Sequence, residues 1–260
     1  MDLKLKGKTA LVTGASMGIG AHIAETLAAE GVNLHLTARS NDKLESLKAR
    51  IIASHNVAVT LYPLDLMEQD AANKLAEAIA DIDILVNNAG AVPSGDLWDV
   101  GETAWRSGFD LKVFGYINMC RLFYPKMKEA GGGVIINIIG NGGEVLDRNY
   151  IAGATGNISL MGFTRALGGY ALDDNMRVVG INPGPVNTDR IYNMLKKWAE
   201  KDLGDADRYQ ELAAGYPLAR PAHCSEISDL VAFLASDRAG YTTGTVYTVD
   251  GGISARTSIV

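Results

Sequence analysis

Short apolar runs alternate along the chain with segments whose apolar residues recur at helical spacing. Helical spacing extends over 19–30, 41–54, 68–80 and about 103–129. The apolar runs, each a strand signal, read KTALVTG, VNLHLTAR, VAVTLYPLD, IDILVNNAG, GVIINII, MRVVGINPG and TVYTVDGG. Strands that alternate with helices form βαβ units with right-handed crossovers. The pattern therefore predicts an α/β fold, a doubly wound parallel sheet with helices on both faces.

The segment 187–222 interrupts this alternation, because it carries no strand signal and contains NTDRIYNMLKKWAEKDLG. It is interpreted as a helical insertion on the substrate side, over the carboxyl edge of the sheet, where ligands bind in such folds. No repeat or low-complexity linker divides the 260 residues, so a single domain is expected over 1–260.

The charge pattern excludes several classes of function. The formal net charge is −6, and the densest basic pair is Lys196–Lys197, so a nucleic-acid partner is not expected. No stretch approaches the about 20 apolar residues of a membrane span, and no signal peptide is recognisable, so a cytoplasmic location is expected. Cys120 and Cys224 lie far apart without metal-ligand spacing, which predicts no metal site.

A glycine-rich turn joins the first strand to the first helix. In TGASMGIG, the glycines are Gly14, Gly18 and Gly20, with Ser16 and Ile19 between them. Glycine permits a tight turn and a close approach of backbone to a pyrophosphate, and the helix N-terminus offers free N–H groups. The strand–turn–helix context predicts a dinucleotide site.

The end of the second strand bears on which nicotinamide cofactor binds. A carboxylate there would bind the ribose 2′-hydroxyl, whereas an arginine accepts a 2′-phosphate. The sequence LTARS has Ala38 where the carboxylate is expected, followed by Arg39. NADP(H) is therefore favoured over NAD(H), with a solvated arginine as the alternative. After the third strand, Asp65 is a candidate cap for the adenine amino group.

Four segments in order and spacing, TGASMGIG, NNAG (87–90), NPGPVNTD (182–189) and TGTVYTVDGG (243–252), resemble the short-chain dehydrogenase/reductase family. The resemblance covers essentially the whole chain. It implies a single-domain Rossmann fold with seven parallel strands, NAD(P)(H) binding, and a homotetramer or homodimer built through helices near 103–129 and 153–171. It also implies further cofactor contacts from Leu66, Asn88, Ala89, Gly90, Pro183, Gly184, Val186, Thr188 and Asn157.

In that family four residues do the chemistry, and this chain departs from all four. The resemblance aligns the family's acid/base tyrosine with Gly153 and its activating lysine with Asn157. The serine that orients the substrate aligns with Gly140, thirteen residues before Gly153 as expected, and the asparagine of the central helix aligns with Lys112. Because two of these side chains become glycine, a pocket wider than usual is expected.

Two residues are the leading substitutes. Lys112 belongs to an apolar stripe at helical period, with Trp105, Phe109, Tyr116, Met119 and Phe123, so it is expected to face inward. A buried ammonium is a candidate base or electrostatic stabiliser, and equally a structural cation that bonds loop carbonyls or pairs with a carboxylate. Tyr150, one helical turn before Gly153, is the candidate acid, and Asn157 can still hydrogen-bond a nicotinamide ribose.

Further side chains lie where the family's substrate wall would be. The loop GNGGEVLDRNY (140–150) offers Asn141, Glu144, Asp147 and Arg148 as candidates to reach a ligand, with a flexible polar loop as the favoured alternative for each. In the insertion, Tyr192 and Trp198 are candidates to close over a ligand, with core packing as the favoured alternative for Trp198.

Two hypotheses on function follow. The first is an NADP(H)-binding enzyme that acts on a small organic substrate through a rebuilt site, either as an oxidoreductase or in non-redox elimination, isomerisation or hydrolysis. The second is a catalytically inactive relative that senses nucleotide or supports a partner subunit. Dehalogenation of halohydrins is not expected, because the relatives that do it keep a Ser–Tyr pair and remodel the glycine loop, the reverse of this pattern.

Overall fold

The computed structural model describes residues 1–256, and their strands form one sheet. The seven strands are all parallel, in the order β3-β2-β1-β4-β5-β6-β7. Their bounds are β1 Thr9–Thr13, β2 Asn33–Ala38, β3 Val59–Pro63, β4 Ile84–Asn87, β5 Gly133–Ile138, β6 Met176–Pro183 and β7 Val246–Val249. The doubly wound parallel sheet predicted from the alternating pattern is confirmed.

Helices cover both faces of the sheet. They are α1 Gly18–Ala29, α2 Asn41–Ser54, α3 Ala71–Ala78, α4 Glu102–Phe109, α5 Gly115–Glu129, α6 Ile151–Gly168, α7 Asp189–Leu203, α8 Tyr209–Ala213 and α9 Cys224–Ala235. One core cluster packs α1, α2 and α9 against the sheet, and another packs α3 and α5 against its opposite face. The strands alternate in which side chains they send to each cluster, so the central strands are buried on both faces.

Two helices differ from their predicted extents. Helix α3 begins at Ala71 rather than near 68, because Asp70 takes a left-handed conformation (φ 62°) that starts the helix late. The long segment 103–129 is helical throughout but divides into α4 and α5 at a π-helical turn, Asp110–Phe114. Single π turns occur frequently at functional sites, and this one carries Lys112.

The order of the strands decides where a ligand can bind. Successive strands proceed outward in one direction from β1 to β3, and the chain then crosses back to β4 on the other side of β1. The crevice at such a switch point opens at the carboxyl ends of β1 and β4. The glycine-rich turn follows β1 and NNAG closes β4, so both motifs meet at this crevice.

The segment 187–222 carries α7 and α8 with short 3₁₀ turns and contains no strand. Helix α7 has an amphipathic pattern, with Ile191, Leu195 and Ala199 buried and its lysines exposed. Within residues 1–256 no helix is both long and apolar enough to cross a membrane.

Candidate functional site

The glycine-rich turn lies directly against the loop that follows β4. Gly14 has a positive φ of 64°, and a Cβ there would lie 2.9 Å from the Cα of Ala89. A Cβ on Gly20 would lie 2.4 Å from the carbonyl oxygen of Gly14. Because both obstacles are backbone atoms, only glycine fits at these two positions, and the turn is as tight as a pyrophosphate-binding loop requires.

Hydrogen bonds fix the two loops to each other. The Asn88 side chain donates from Nδ2 to the carbonyl oxygens of Thr13 (3.0 Å) and Gly14 (3.2 Å). In return, the hydroxyl of Thr13 accepts from the backbone N–H of Asn88 (2.9 Å) and Ala89 (3.0 Å). Asn88 therefore acts as a brace that holds the turn, which is a structural role beside its predicted contact with cofactor.

The N-terminus of α1 is open to an anion. Met17 precedes the helix and its side chain caps none of the first N–H groups. The methyl group of Thr188 lies 3.1 Å from where a Cβ of Gly18 would be, so the segment after β6 borders the same turn. Free N–H groups, a positive helix end and glycines without side chains fit the phosphates of a dinucleotide.

The remaining predicted cofactor residues lie along the same edge of the sheet. Arg39 directly follows β2, is exposed, and forms no ion pair among residues 1–256. The others follow or end strands: Asp65 and Leu66 after β3, Gly90 after β4, Pro183 at the end of β6, and Gly184 and Val186 beyond it. Ser16 and Ile19 lie in the turn and the first turn of α1.

Lys112 is buried, as the apolar stripe predicted, beside Gly90 and Ile139 in the loops after β4 and β5. This part of the crevice is called the substrate end below, because the family resemblance places the substrate there. Its Nζ donates to the carbonyl oxygen of Ile139 (2.5 Å) and to Oδ1 of Asn157 (2.7 Å). Its stem covers Gly90, since a Cβ on Gly90 would lie 3.0 Å from Cγ of Lys112. Burial, with a smaller contribution from the charge of Arg190, lowers the pKa of Lys112 to about 7.

The sequence left two structural roles open for Lys112: bonding to carbonyl oxygens or pairing with a carboxylate. Its partners in the structure match the first role. Both acceptors are neutral, a backbone carbonyl and a side-chain amide, and no carboxylate among residues 1–256 lies within ion-pair distance. Asn157 is itself only 1% exposed, and its Nδ2 lies 3.1 Å from the position that a Cβ of Gly140 would take. Lys112, Asn157 and Gly140 are therefore one contiguous group.

Tyr150 completes this group. Its ring covers Gly153, because a Cβ on Gly153 would lie 2.0 Å from Cζ of Tyr150. The expectation that glycine at this position widens the pocket is therefore wrong: the aromatic ring of Tyr150 occupies the space. The phenol oxygen accepts a hydrogen bond from the Arg190 guanidinium (Nη2 to Oη, 3.2 Å).

Sequence reasoning missed Arg190. It lies in the first turn of α7, two residues after Thr188, and α7 begins at Asp189. The available signal was its position, a charged residue at the start of an insertion predicted to lie over the ligand edge. That signal does not say which side chain the guanidinium meets, since the contact joins residues 40 positions apart.

The other predicted loop residues are bound within the protein. Glu144 accepts hydrogen bonds from Asn182 (3.2 Å) and Thr248 (2.8 Å), and Asn141 donates to Asp250 (3.4 Å). These contacts tie the loop after β5 to β6 and β7. Glu144 and Asn141 therefore position the loop.

Arg148 faces Asp96 at 3.8 Å, and Asp147 accepts from the backbone of Asn149 at 2.8 Å. Farther out, Tyr192 packs edge-on against Tyr209, with ring centroids 5.8 Å apart. Trp198 remains 37% exposed, so the core packing favoured for it is wrong. Among the described residues no cluster of side chains could hold a metal ion.

Several known proteins resemble this chain over nearly its whole length. The family model described as enoyl-(acyl carrier protein) reductase matches residues 14–254. Oxidoreductase UcpA of Salmonella typhimurium is 34% identical over 261 residues, 98% of each chain. The NADPH-dependent reductase BacG of Bacillus subtilis is 30% identical over 253 residues, 94% of this chain and 97% of that protein.

A solved structure extends the likeness to three dimensions. L-sorbose reductase from Gluconobacter frateurii, in complex with NADPH and L-sorbose, superposes with a TM-score of 0.91 at 31% identity, over 99% of this chain and 100% of that one. The sheet order, the glycine-rich turn and these similarities have one explanation: the chain belongs to the short-chain dehydrogenase/reductase family of oxidoreductases.

Proposed function

We propose that this protein is an NADP(H)-dependent oxidoreductase that interconverts a carbonyl and an alcohol on a small organic substrate, with Tyr150 as its acid/base. One observation carries the proposal: the Tyr150 ring occupies the space above Gly153, where the family resemblance expects a tyrosine side chain. The chain regains a phenol at this point from the residue that precedes α6, rather than from the helix itself.

A second departure from the family pattern supports the same proposal. The family resemblance aligns an asparagine with Lys112 and a lysine with Asn157. Compared with the family, the lysine and the asparagine are therefore exchanged between these two positions. Their side chains meet at 2.7 Å, and the site therefore keeps one amide and one amine in contact. Lys112 is proposed as a positioning residue that fixes the Asn157 amide, since its Nζ is buried behind it.

Each group then has a chemical task. When bound, the nicotinamide supplies or accepts a hydride. Tyr150 gives a proton to, or takes it from, the substrate oxygen at its own Oη. The Arg190 guanidinium donates a hydrogen bond to that oxygen at 3.2 Å and so holds the phenol in place. The Asn157 amide has its Nδ2 on the side of Gly140, where a ribose or substrate hydroxyl can accept a hydrogen bond from it.

Cofactor choice is proposed to follow from Arg39. The residue is exposed directly after β2, and no carboxylate among the described residues competes for it within ion-pair distance. Arg39→Gln should weaken NADPH binding by about tenfold, the value of one charge-assisted hydrogen bond, and leave NADH binding unchanged. Fluorescence titration with both nucleotides measures the two affinities, and equal losses for both would refute a 2′-phosphate contact.

Self-association stays a prediction. Phe114 and Ile158 are 52% and 46% exposed, and they lie in the π turn before α5 and on α6, the two regions that the family resemblance assigns to an interface. Sedimentation would distinguish monomer, dimer and tetramer.

Replacement of the proposed acid tests the function. Tyr150→Phe removes one oxygen atom and keeps the ring over Gly153. We expect the rate of NADPH oxidation, followed by absorbance over a panel of ketones, to fall about 100-fold or more, with NADPH affinity unchanged. Tyr170→Phe is the matched control, because Tyr170 is 81% exposed just beyond the far end of α6.

Two results would count against the proposal. If Tyr150→Phe keeps full turnover, the phenol is not the acid. If the unaltered protein binds NADPH tightly and turns over no ketone or alcohol, its function is nucleotide binding without redox chemistry.

A further inference from the structure

The segment after β6 connects the two ends of the site. Thr188 borders the glycine-rich turn at Gly18, and Arg190, two residues later, reaches Tyr150. A substrate held between the nucleotide and the phenol must therefore lie beside this segment. The guanidinium of Arg190 is the charged group that the segment presents there.

Arg190 has donors to spare. Its Nη2 hydrogen bond to Tyr150 is its one side-chain contact of this kind among residues 1–256. A guanidinium carries five N–H donors in a rigid fork. The side chain is exposed, so the remaining donors are accessible to a ligand.

Besides Arg190, the buried Lys112 is a second basic side chain at this site. Lys112 donates only to neutral acceptors, Ile139 and Asn157, and the charge of Arg190 contributes to lowering the pKa of Lys112. The two positive charges therefore repel each other, and no carboxylate of residues 1–256 forms an ion pair with either side chain. This repulsion is relieved when an anion enters.

Three acidic side chains of the loops at this edge of the sheet are already engaged elsewhere. Glu144 accepts from Asn182 and Thr248. Asp250 accepts from Ser254 and Asn141, and Asp96 faces Arg148. Among residues 1–256 no carboxylate, that of the adjacent Asp189 included, forms an ion pair with Arg190, so its charge is open to an anionic ligand.

We propose that the substrate carries a carboxylate, which the fork of Arg190 binds while the substrate carbonyl meets Tyr150. A guanidinium binds a carboxylate through two parallel hydrogen bonds, a geometry that a neutral ester or amide cannot match in strength. This inference rests on the proposed function, because it assigns the substrate class of the same site. The compounds that fit are keto acids and their hydroxy acids.

Binding without turnover provides the test. The protein saturated with NADP⁺ cannot reduce a ketone, so calorimetric titration reports affinity alone. The probes are phenylpyruvate and 4-oxopentanoate, each compared with its own methyl ester, which lacks the negative charge and carries one additional methyl group. We expect each acid to bind about tenfold or more tighter than its ester, and Arg190→Met to abolish that preference.

The control is Arg208→Met. Arg208 lies in the same insertion, but its guanidinium is already paired with Glu211 at 2.7 Å, so its removal should leave the preference for acids intact. Arg190→Lys should restore part of the preference, because a point charge replaces the fork. NADPH affinity should be equal in all four proteins.

Four outcomes would overturn the inference: acids and esters bind equally, neither acid binds, Arg190→Met retains the preference, or Arg190→Met loses NADPH affinity in proportion. The last would assign the guanidinium to the cofactor. None of them contradicts the proposed oxidoreductase if neutral ketones are reduced and Tyr150→Phe stops that reduction, so the two proposals fail separately.

Discussion

The nucleotide end and the substrate end of the crevice are built on different principles. At the nucleotide end, Gly14 and Gly20 pack against backbone atoms, the Asn88 side chain braces the turn, and no other residue fits the two glycine positions. At the substrate end, the group of Lys112, Asn157 and Tyr150 is held by side chains that reach across the fold. A backbone-built site tolerates little change, whereas a side-chain-built site can be rebuilt from residues at other positions.

The largest effect is expected from a substitution at the nucleotide end. Gly20→Ala introduces a Cβ 2.4 Å from the carbonyl oxygen of Gly14 and 2.5 Å from Nδ2 of Asn88. The turn and the NNAG loop must separate, so we expect NADPH affinity to fall about 100-fold or more, or the protein to lose stability, since backbone cannot move cheaply. Fluorescence titration and thermal unfolding measure the two effects.

Gly162→Ala serves as the matched control for that change. Gly162 lies in α6, and nothing lies within 4 Å of the position its Cβ would take. It should raise stability by up to about 1 kcal/mol through helix propensity and leave NADPH binding unchanged. Normal affinity in Gly20→Ala would mean that the turn is more adaptable than its contacts indicate.

A glycine-to-alanine substitution at the substrate end should have a different effect. Gly153→Ala places a Cβ 2.0 Å from Cζ of Tyr150, which expels the ring, but the obstacle is the far end of a side chain. The fold should therefore persist and NADPH should bind normally, while kcat falls about 100-fold because the phenol leaves its place. Steady-state rates and nucleotide titration separate the effects, and unchanged kcat would show that the ring position is irrelevant to catalysis.

This difference also explains what could be predicted from the sequence. The sheet and the glycine-rich turn follow from local patterns, since Gly14, Gly18 and Gly20 lie within one strand–turn–helix unit. The inward position of Lys112 likewise follows from the helical period of its neighbours. Local signals were sufficient wherever backbone geometry decides the outcome.

Contacts between distant side chains carry no such signal. Gly153 was expected to open the pocket because its own residue has no side chain, yet the ring of Tyr150, three residues earlier, occupies the space. The approach of Arg190 to Tyr150 depends on how α7 packs over the sheet, which no spacing in the sequence encodes. The π turn at Lys112 is likewise not indicated by the helical spacing of its neighbours.

The smallest expected effect is the pH dependence of stability that arises from the buried amine of Lys112 at the substrate end. The pKa of Lys112 is about 7 in the folded protein and near its ordinary value of 10.5 when unfolded. Between these values the unfolded chain binds more protons, so this residue makes the free energy of unfolding rise with pH, by up to about 1.4 kcal/mol per unit. Below about pH 7 both states are protonated, and the full penalty of burying the charge remains.

Lys112→Met removes this titration. Compared with the variant, the unaltered protein should gain stability steadily as the pH is raised from about 7 to about 9, as measured by urea unfolding. The variant also loses the hydrogen bonds to Ile139 and Asn157, which destabilises it equally at every pH. This loss shifts the difference in free energy of unfolding between the two proteins by a constant and leaves the dependence of that difference on pH unchanged. Cys120, whose pKa burial raises to about 12, titrates alike in both proteins and cancels. A difference that stays constant with pH would mean that Lys112 remains a full ammonium, stabilised by its two carbonyl acceptors, and that the charge at the substrate end is permanent rather than adjustable.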